Sequence, residues 1–405
     1  MHIYVIIKKS FYKDKGKRGK IGMAKKLISV WLSLTILLFS SISIYADENV
    51  QGDFFIKTIV INGETINNNH LQFPFFLYKD TTYFPLTPEM GEIFGLKAEM
   101  DFESRTLKLL QTEPSLTNIT DGWTKNERED VLAQSFDDVQ VLAYELEPQS
   151  LTGAVKDDES ADEDADISET TEGAVYDDVI EIPKLSVRKI DLGGLPVLTQ
   201  GNIVYLPIKA LTGENGFGWD VYYDPYTGIY VSTKEGVSAK SYWNEAESKY
   251  NQGLVNYVMK LNGSYTPTKA QQLIFMFKTA ADTYKIDERV LMAVAQKEST
   301  FNARCGEKNS GALGMMQVMP STGARYGLGR EQLLDAETSI NFGAMYLSER
   351  IAAYGGDMTK GFSAYNQGSV AVNRGSYSTR YASRVIDTIN GINSYLTANG
   401  YGLGN

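Results

Sequence analysis

The run Asp287-Glu288-Arg289-Val290-Leu291-Met292-Ala293-Val294-Ala295-Gln296-Lys297-Glu298-Ser299 decides how the second half of this chain is read. Asp287 has a short acidic side chain suited to accept from the free N–H groups of a first helical turn, and Val290, Leu291 and Val294 then recur at helical spacing. Steps of three and four from Leu291 and Val294 reach position 298, so Glu298 falls on the apolar stripe and not on the solvent face. That is a costly place for a charge. Loss of water and the negative end of the helix dipole both disfavour the ionised form, so the spacing predicts a raised pKa, as a general acid working near neutral pH requires. A last-turn glutamate that bends toward water is the competing reading of the same spacing.

Outward from this helix the helical period continues. Upstream, Trp243, Ala246, Tyr250, Leu254, Tyr257, Val258 and Leu261 form one stripe. Thr266-Pro267 opens another helix with Leu273, Met276, Phe277, Ala280 and Tyr284, and core packing is the reading of both stripes. Across 405 residues the chain carries 39 basic and 50 acidic side chains, a net charge of −11, which argues against a uniformly basic nucleic-acid binder. The charge is uneven: residues 236–405 hold 17 basic and 13 acidic side chains, beneath an acidic stretch of net −23 over 47–235. A mildly basic helical part suits an anionic polymer as partner, and no nucleic acid is expected. Two histidines, His2 and His70, and one cysteine, Cys305, are too few for a Cys/His metal site. Carboxylates therefore become the candidates for catalysis, with no metal and no cofactor.

Leu27 to Ile44 is apolar apart from Ser and Thr, follows Lys25-Lys26 and ends in Tyr45-Ala46, the pattern of a secretory signal peptide cleaved after Ala46. An uncleaved membrane anchor is the alternative. Met23-Ala24-Lys25-Lys26 makes a more ordinary beginning than the basic stretch from Lys8 to Lys20, which sets residues 1–22 apart from the natural product. The expected location is secreted, at the cell wall or cell surface, and a lone cysteine fits an exported protein held together by its core.

Residues 54–111 read as short strands, with a short helix around Glu89 to Phe94. The pattern then returns. Tyr83-Phe84-Pro85-Leu86 corresponds to Tyr205-Leu206-Pro207-Ile208, Phe94-Gly95-Leu96 to Phe217-Gly218-Trp219, and Asp101 with its following strand to Asp224 and Gly228 to Val231. These copies, over 54–111 and 186–233, resemble the halves of the copper-amine-oxidase N-terminal-like stalk domain, with nothing that implies copper. Between them the segment about 152–182 is dense in Asp and Glu and is expected to be disordered. It is an excursion from one domain if the copies pair, and a tether if each folds alone.

Glu298-Ser299, Phe301-Asn302, Gly311-Ala312, Gly314-Met315-Met316-Gln317, Met319-Pro320-Ser321-Thr322, Asn341 with Gly343 and Tyr346-Leu347, and Ala364-Tyr365-Asn366 with Gly368 stand in fixed order. Together they resemble the soluble lytic transglycosylase catalytic domain, of goose-type lysozyme fold, over roughly 268–395. The expected fold is multidomain: a signal region (1–46), an α+β stalk of two repeats with the disordered acidic insertion (47–235), a connecting helix (236–266) and a mainly α lysozyme-like domain (267–405).

The resemblance implies cleavage of the β-1,4 bond between N-acetylmuramic acid and N-acetylglucosamine in peptidoglycan, leaving 1,6-anhydro ends. Glu298 matches the single catalytic acid, which protonates the glycosidic oxygen and then serves as base on the muramoyl C6 hydroxyl. Ser299 matches a serine that orients the turn after the acid, Met316 and Gln317 a glycan-contacting pair, Tyr365 and Asn366 the lining opposite the acid, and Tyr381 a tyrosine near the carboxylate. Ala303, where a proline is common, and the wording of the Cys305 to Ser310 loop depart from the pattern. Glu307, Asp335 and Glu337 have no helical spacing to Glu298. Glycan strands are the expected partner, with other wall components reached through the stalk. A hydrolytic muramidase with the same site and a non-catalytic wall-binding protein are the competing readings.

Overall fold

The computed structural model describes residues 48–115, 131–146, 185–306, 308 and 311–402. The signal region, the acidic segment about 152–182 and Glu307 lie outside the described residues.

The first part is β-rich. It runs through β1 (Glu48–Phe54), β2 (Thr58–Ile61), β3 (Glu64–Ile66), β4 (Phe76–Tyr78), β5 (Thr81–Pro85), α1 (Pro88–Phe94), β6 (Leu96–Asp101) and β7 (Thr106–Gln111). It continues through β8 (Val131–Phe136), β9 (Gln140–Leu146), β10 (Leu185–Ile190), β11 (Val197–Gln200), β12 (Ile203–Pro207), β13 (Asp220–Asp224) and β14 (Gly228–Ser232). Helix α1 is bounded as its residues dictate: Thr87 accepts from the Met90 N–H, Pro88 opens the first turn and Gly95 closes the helix at φ 67°.

The two matching motifs meet. Phe84 in β5 lies opposite Leu206 in β12, with Tyr83 opposite Pro207 and Pro85 opposite Tyr205, so the motifs pair antiparallel about their own centre. The six-stranded closed barrel that results, in the order β1-β4-β5-β12-β11-β8, reads alike from either end. Its flanking sheets, β10-β9-β7-β6 and β13-β14-β2-β3, each join strands from the first half of this part (β1–β7) with strands from the second (β8–β14) through a parallel pair, β7 with β9 and β14 with β2; β8 and β9 lie outside both matched copies. Neither half completes its sheets alone. β9 and β10, the described strands on either side of the acidic segment, are antiparallel neighbours in one sheet.

The second part is helical: α2 (Glu245–Leu261), α3 (Pro267–Tyr284), α4 (Glu288–Ser299), α5 (Pro320–Ala324), α6 (Arg330–Leu334), α7 (Ala336–Ala353), α8 (Met358–Gln367), α9 (Ser369–Asn373) and α10 (Arg380–Ala398). One apolar core runs through it, from Tyr250, Leu254 and Val258 on α2, through Leu273, Phe277, Leu291 and Val294, to Val385 and Ile392 on α10. The upstream stripe needs correction at its start. Asn244 caps α2 by accepting from the Ala246 and Glu247 N–H groups, so Trp243 precedes the helix and packs on Tyr222 of β13 at 5.3 Å, while Ala246 is exposed.

The two parts share a polar joint. Buried Asp224, at the end of β13, accepts from the Ser248 hydroxyl of α2 (2.9 and 3.0 Å) and from the Thr227 hydroxyl and N–H. Asn251 of α2 donates to the Tyr226 carbonyl at 2.9 Å. On the same helix, the Tyr250 and Tyr257 hydroxyls bond to Glu288 and Gln296 of α4, at 2.5 and 2.9 Å. Helix α2 thus grips the β-rich part at one end and the helix bearing Glu298 along its length. Among the described residues no helix is long and apolar enough to cross a membrane.

Candidate active site

Asp287 caps α4 through the Arg289 N–H at 2.8 Å, and Val290 to Ala295 are all buried. Glu298 sits in the last turn, half-buried, as the stripe predicts. The helix ends abruptly because Thr300 and Phe301 both take left-handed conformations, φ 51° and 60°. A β-branched residue adopts this region only when its surroundings impose it. Here they do: Asn262 donates to the Thr300 carbonyl at 3.1 Å, Tyr265 donates to the Phe301 carbonyl at 2.8 Å, and the Phe301 ring is fully buried. Ser299 donates to the Met315 carbonyl at 2.8 Å and accepts from the Asn302 N–H at 3.2 Å, joining this turn to the glycine turn that follows.

That second turn, Gly314 to Gln317, is closed by reciprocal bonds between Leu313 and Val318. Gly314 has φ 79°, and a Cβ there would lie 1.8 Å from the Leu333 carbonyl oxygen, so only glycine fits. The Met316 N–H donates to the buried Ser339 hydroxyl at 3.1 Å, and its carbonyl accepts from the Tyr365 hydroxyl at 2.8 Å. Gln317 folds back, its Nε2 donating to the Gly314 and Cys305 carbonyls at 3.0 and 3.2 Å.

Met316 differs from its expected role. Its side chain is fully buried in the core, and Gly343 of α7 is small where a Cβ would come within 2.6 Å of it. Its bonds to Ser339 and Tyr365 run through the Met316 backbone. Gln317 and Tyr365 are half-buried at the same turn, and Asn366 is exposed beside Tyr365 on α8.

From α10, the Tyr381 hydroxyl donates to Oε1 of Glu298 at 2.5 Å. Burial pushes the Glu298 carboxyl above its ordinary value, and the Tyr381 bond offsets part of the rise. The Tyr365 and Tyr381 hydroxyls are pushed up by burial and by the nearby Glu298 carboxylate, so both stay protonated donors at neutral pH. The arrangement can therefore hold a proton on Glu298 and aim it. Asp335 has other work, capping α7 through the Thr338 N–H at 2.8 Å. Asn262, Tyr265, Ser339 and Gln367 also build the surroundings of the site, through bonds to backbone atoms that no motif spacing announces. Tyr346, part of the ordered motifs, meets the Tyr365 ring edge-on at 5.8 Å.

Residues 275–385 match the family described as the Transglycosylase SLT domain. A transglycosylase of Enterobacteria phage PRD1 is 34% identical over 111 residues, which cover 27% of this chain and 40% of the phage protein. The soluble lytic murein transglycosylase of Escherichia coli strain K12 is 34% identical over 101 residues, covering 23% of this chain and 16% of the relative. The matched stretch thus spans less than half of either relative. The crystal structure of the 70 kDa soluble lytic transglycosylase from Escherichia coli overlaps 40% of this chain and 34% of its own length, at 22% identity and a TM-score of 0.25.

Proposed function

We propose that this chain is an exported peptidoglycan lytic transglycosylase that cleaves the β-1,4 bond between N-acetylmuramic acid and N-acetylglucosamine and leaves 1,6-anhydro-muramoyl ends. The observation that carries the reading is Glu298 itself: a carboxyl raised by burial, bonded to an uncharged phenol, at the end of a helix inside the Transglycosylase SLT match. Protonated Glu298 delivers its proton to the glycosidic oxygen as the bond breaks. The resulting carboxylate then takes the proton of the C6 hydroxyl, which attacks C1 from within the same sugar, the favourable geometry of a tethered nucleophile.

In this reading Tyr381 orients the Glu298 carboxyl, and Ser299 with the Gly314–Gln317 turn fixes where the acid's helix ends. Gln317, Tyr365 and Asn366 line the glycan cleft, with Met316 supporting it from the core. The β-rich part is a stalk that contacts other wall components, and the leader of residues 1–46 directs export. The test is the product: peptidoglycan digested in oxygen-18 water should yield unlabelled anhydro-muropeptides. Labelled reducing ends as the main product would instead identify a hydrolytic muramidase.

A further inference from the structure

Tyr381 is the second residue of α10, so the point at which that helix starts decides where its hydroxyl lies. At that start the Thr379 side chain makes no capping bond; the Thr379 carbonyl accepts from the Ser383 N–H (2.9 Å) and the Ser378 hydroxyl from the Arg380 N–H (3.2 Å), so the first turn leans on where Ser378 is held. Ser378 is held from another helix. Gln367, the last residue of α8, donates Nε2 to the Ser378 carbonyl at 2.7 Å and accepts the Ser378 N–H on Oε1 at 2.9 Å. Two bonds from one planar amide fix both the place and the tilt of the backbone at that residue. Helix α8 is itself tied to the glycine turn by Tyr365 and the Met316 carbonyl. A continuous set of contacts therefore leads from that turn, through Gln367 and Ser378, to Tyr381 and Glu298.

We propose that Gln367 is a positioning residue, which sets the start of α10 so that the Tyr381 hydroxyl meets the Glu298 carboxyl. This rests on the reading of Glu298 as the acid. Gln367 is exposed and its amide is bonded to the Ser378 backbone, so it acts on Glu298 through the start of α10 and Tyr381. A side chain that merely tidied the loop would alter stability and leave the pH dependence of turnover alone. One that places Tyr381 must change that dependence, because the Tyr381 bond is what lowers the pKa of the buried acid.

The experiment compares full-length wild type, Gln367→Met, Tyr381→Phe, their double variant and Glu298→Gln, measuring kcat and KM on purified glycan strands across pH. Methionine keeps the length and removes the amide. Gln367→Met should lower kcat by about five- to fiftyfold, with KM changed far less, as expected when a catalytic group is displaced slightly. Its alkaline limb should move to higher pH, in the same direction as that of Tyr381→Phe. The double variant should be no slower than Tyr381→Phe alone, since both changes act on one contact. An unmoved alkaline limb in Gln367→Met, or losses that simply multiply in the double variant, overturns the proposal. Gln367→Glu keeps the acceptor for the Ser378 N–H and should move the limb part of the way; if Gln367→Met does not fold, an unmoved limb in Gln367→Glu is equally fatal. Wild-type turnover in Glu298→Gln overturns the underlying reading as well, and is distinct from either result at Gln367.

Discussion

Tyr381 donates a 2.5 Å hydrogen bond to Glu298 across 83 residues of chain, from the first turn of one helix to the last turn of another. The bond joins a half-buried acid to a partner that carries no charge. Asp287, at the other end of the same helix, shows the contrast. Burial acts to raise its pKa too, yet its hydrogen bonds from Arg289 bring it below the ordinary value. Among the described residues no cation acts on Glu298 in this way, and burial leaves its pKa above the ordinary value. One helix thus carries a carboxylate for structure at its start and a carboxyl able to keep its proton at its end.

Replacing Glu298 by Gln should reduce glycan cleavage by about a hundredfold or more, because the amide keeps the size and cannot release a proton. It should also raise Tm at neutral pH. A carboxyl whose folded pKa is raised favours the fold while protonated and opposes it once pH passes its unfolded value, so the gain should fade below about pH 4. Thermal melts of both proteins at neutral and acid pH check the sign. A variant less stable than wild type at neutral pH would mean that the carboxylate is stabilised by something other than Tyr381.

Tyr381→Phe removes the interaction that, among the described residues, opposes the burial-driven rise. Its alkaline limb of activity should therefore lie at higher pH than that of wild type, while kcat falls by about ten- to a hundredfold through loss of orientation. A pH–rate profile on soluble glycan strands decides it, and a limb displaced toward lower pH would refute the assigned sense of the bond.

Met316→Ala should cost about 2–5 kcal/mol of stability by opening a cavity under the glycine turn. Met316→Leu, close in volume, should keep near-native Tm and turnover. Denaturant unfolding with parallel kinetics separates the core role from a glycan contact, which would appear as a raised KM in the leucine variant at unchanged stability.

A fragment of residues 238–405 retains α2 and should fold and cleave peptidoglycan, though with lower stability because Ser248 and Asn251 lose Asp224 and the Tyr226 carbonyl. A fragment of residues 267–405 loses Tyr250, Leu254, Tyr257 and Val258 from the core, and the Tyr250 and Tyr257 bonds to α4, and should not fold cooperatively. Circular dichroism melts of both settle whether α2 belongs to the helical domain or only connects to it. Equal stability of the two fragments would restore the connecting role.

The sequence by itself determined what depends on neighbours three or four residues apart. Asp287 as a cap, the apolar stripe that carries Glu298 inward, and Thr266-Pro267 as a helix start all follow from local geometry and are found where the spacing puts them. Proximity to a cap was where local reading slipped, since Asn244 ends the stripe before Trp243 can join it. Only the tertiary structure decided the rest. Strand pairing is set by partners far along the chain, so the repeated Tyr83-Phe84-Pro85 and Tyr205-Leu206-Pro207 motifs could be seen to match but not to pair with each other, nor their halves to exchange strands. Burial of the Met316 side chain depends on Gly343 of a separate helix. The bond from Tyr381 to Glu298, and the amide of Gln367 that holds its helix start, likewise join atoms whose meeting no periodicity encodes, because it arises from the packing of α4, α8 and α10 around one core.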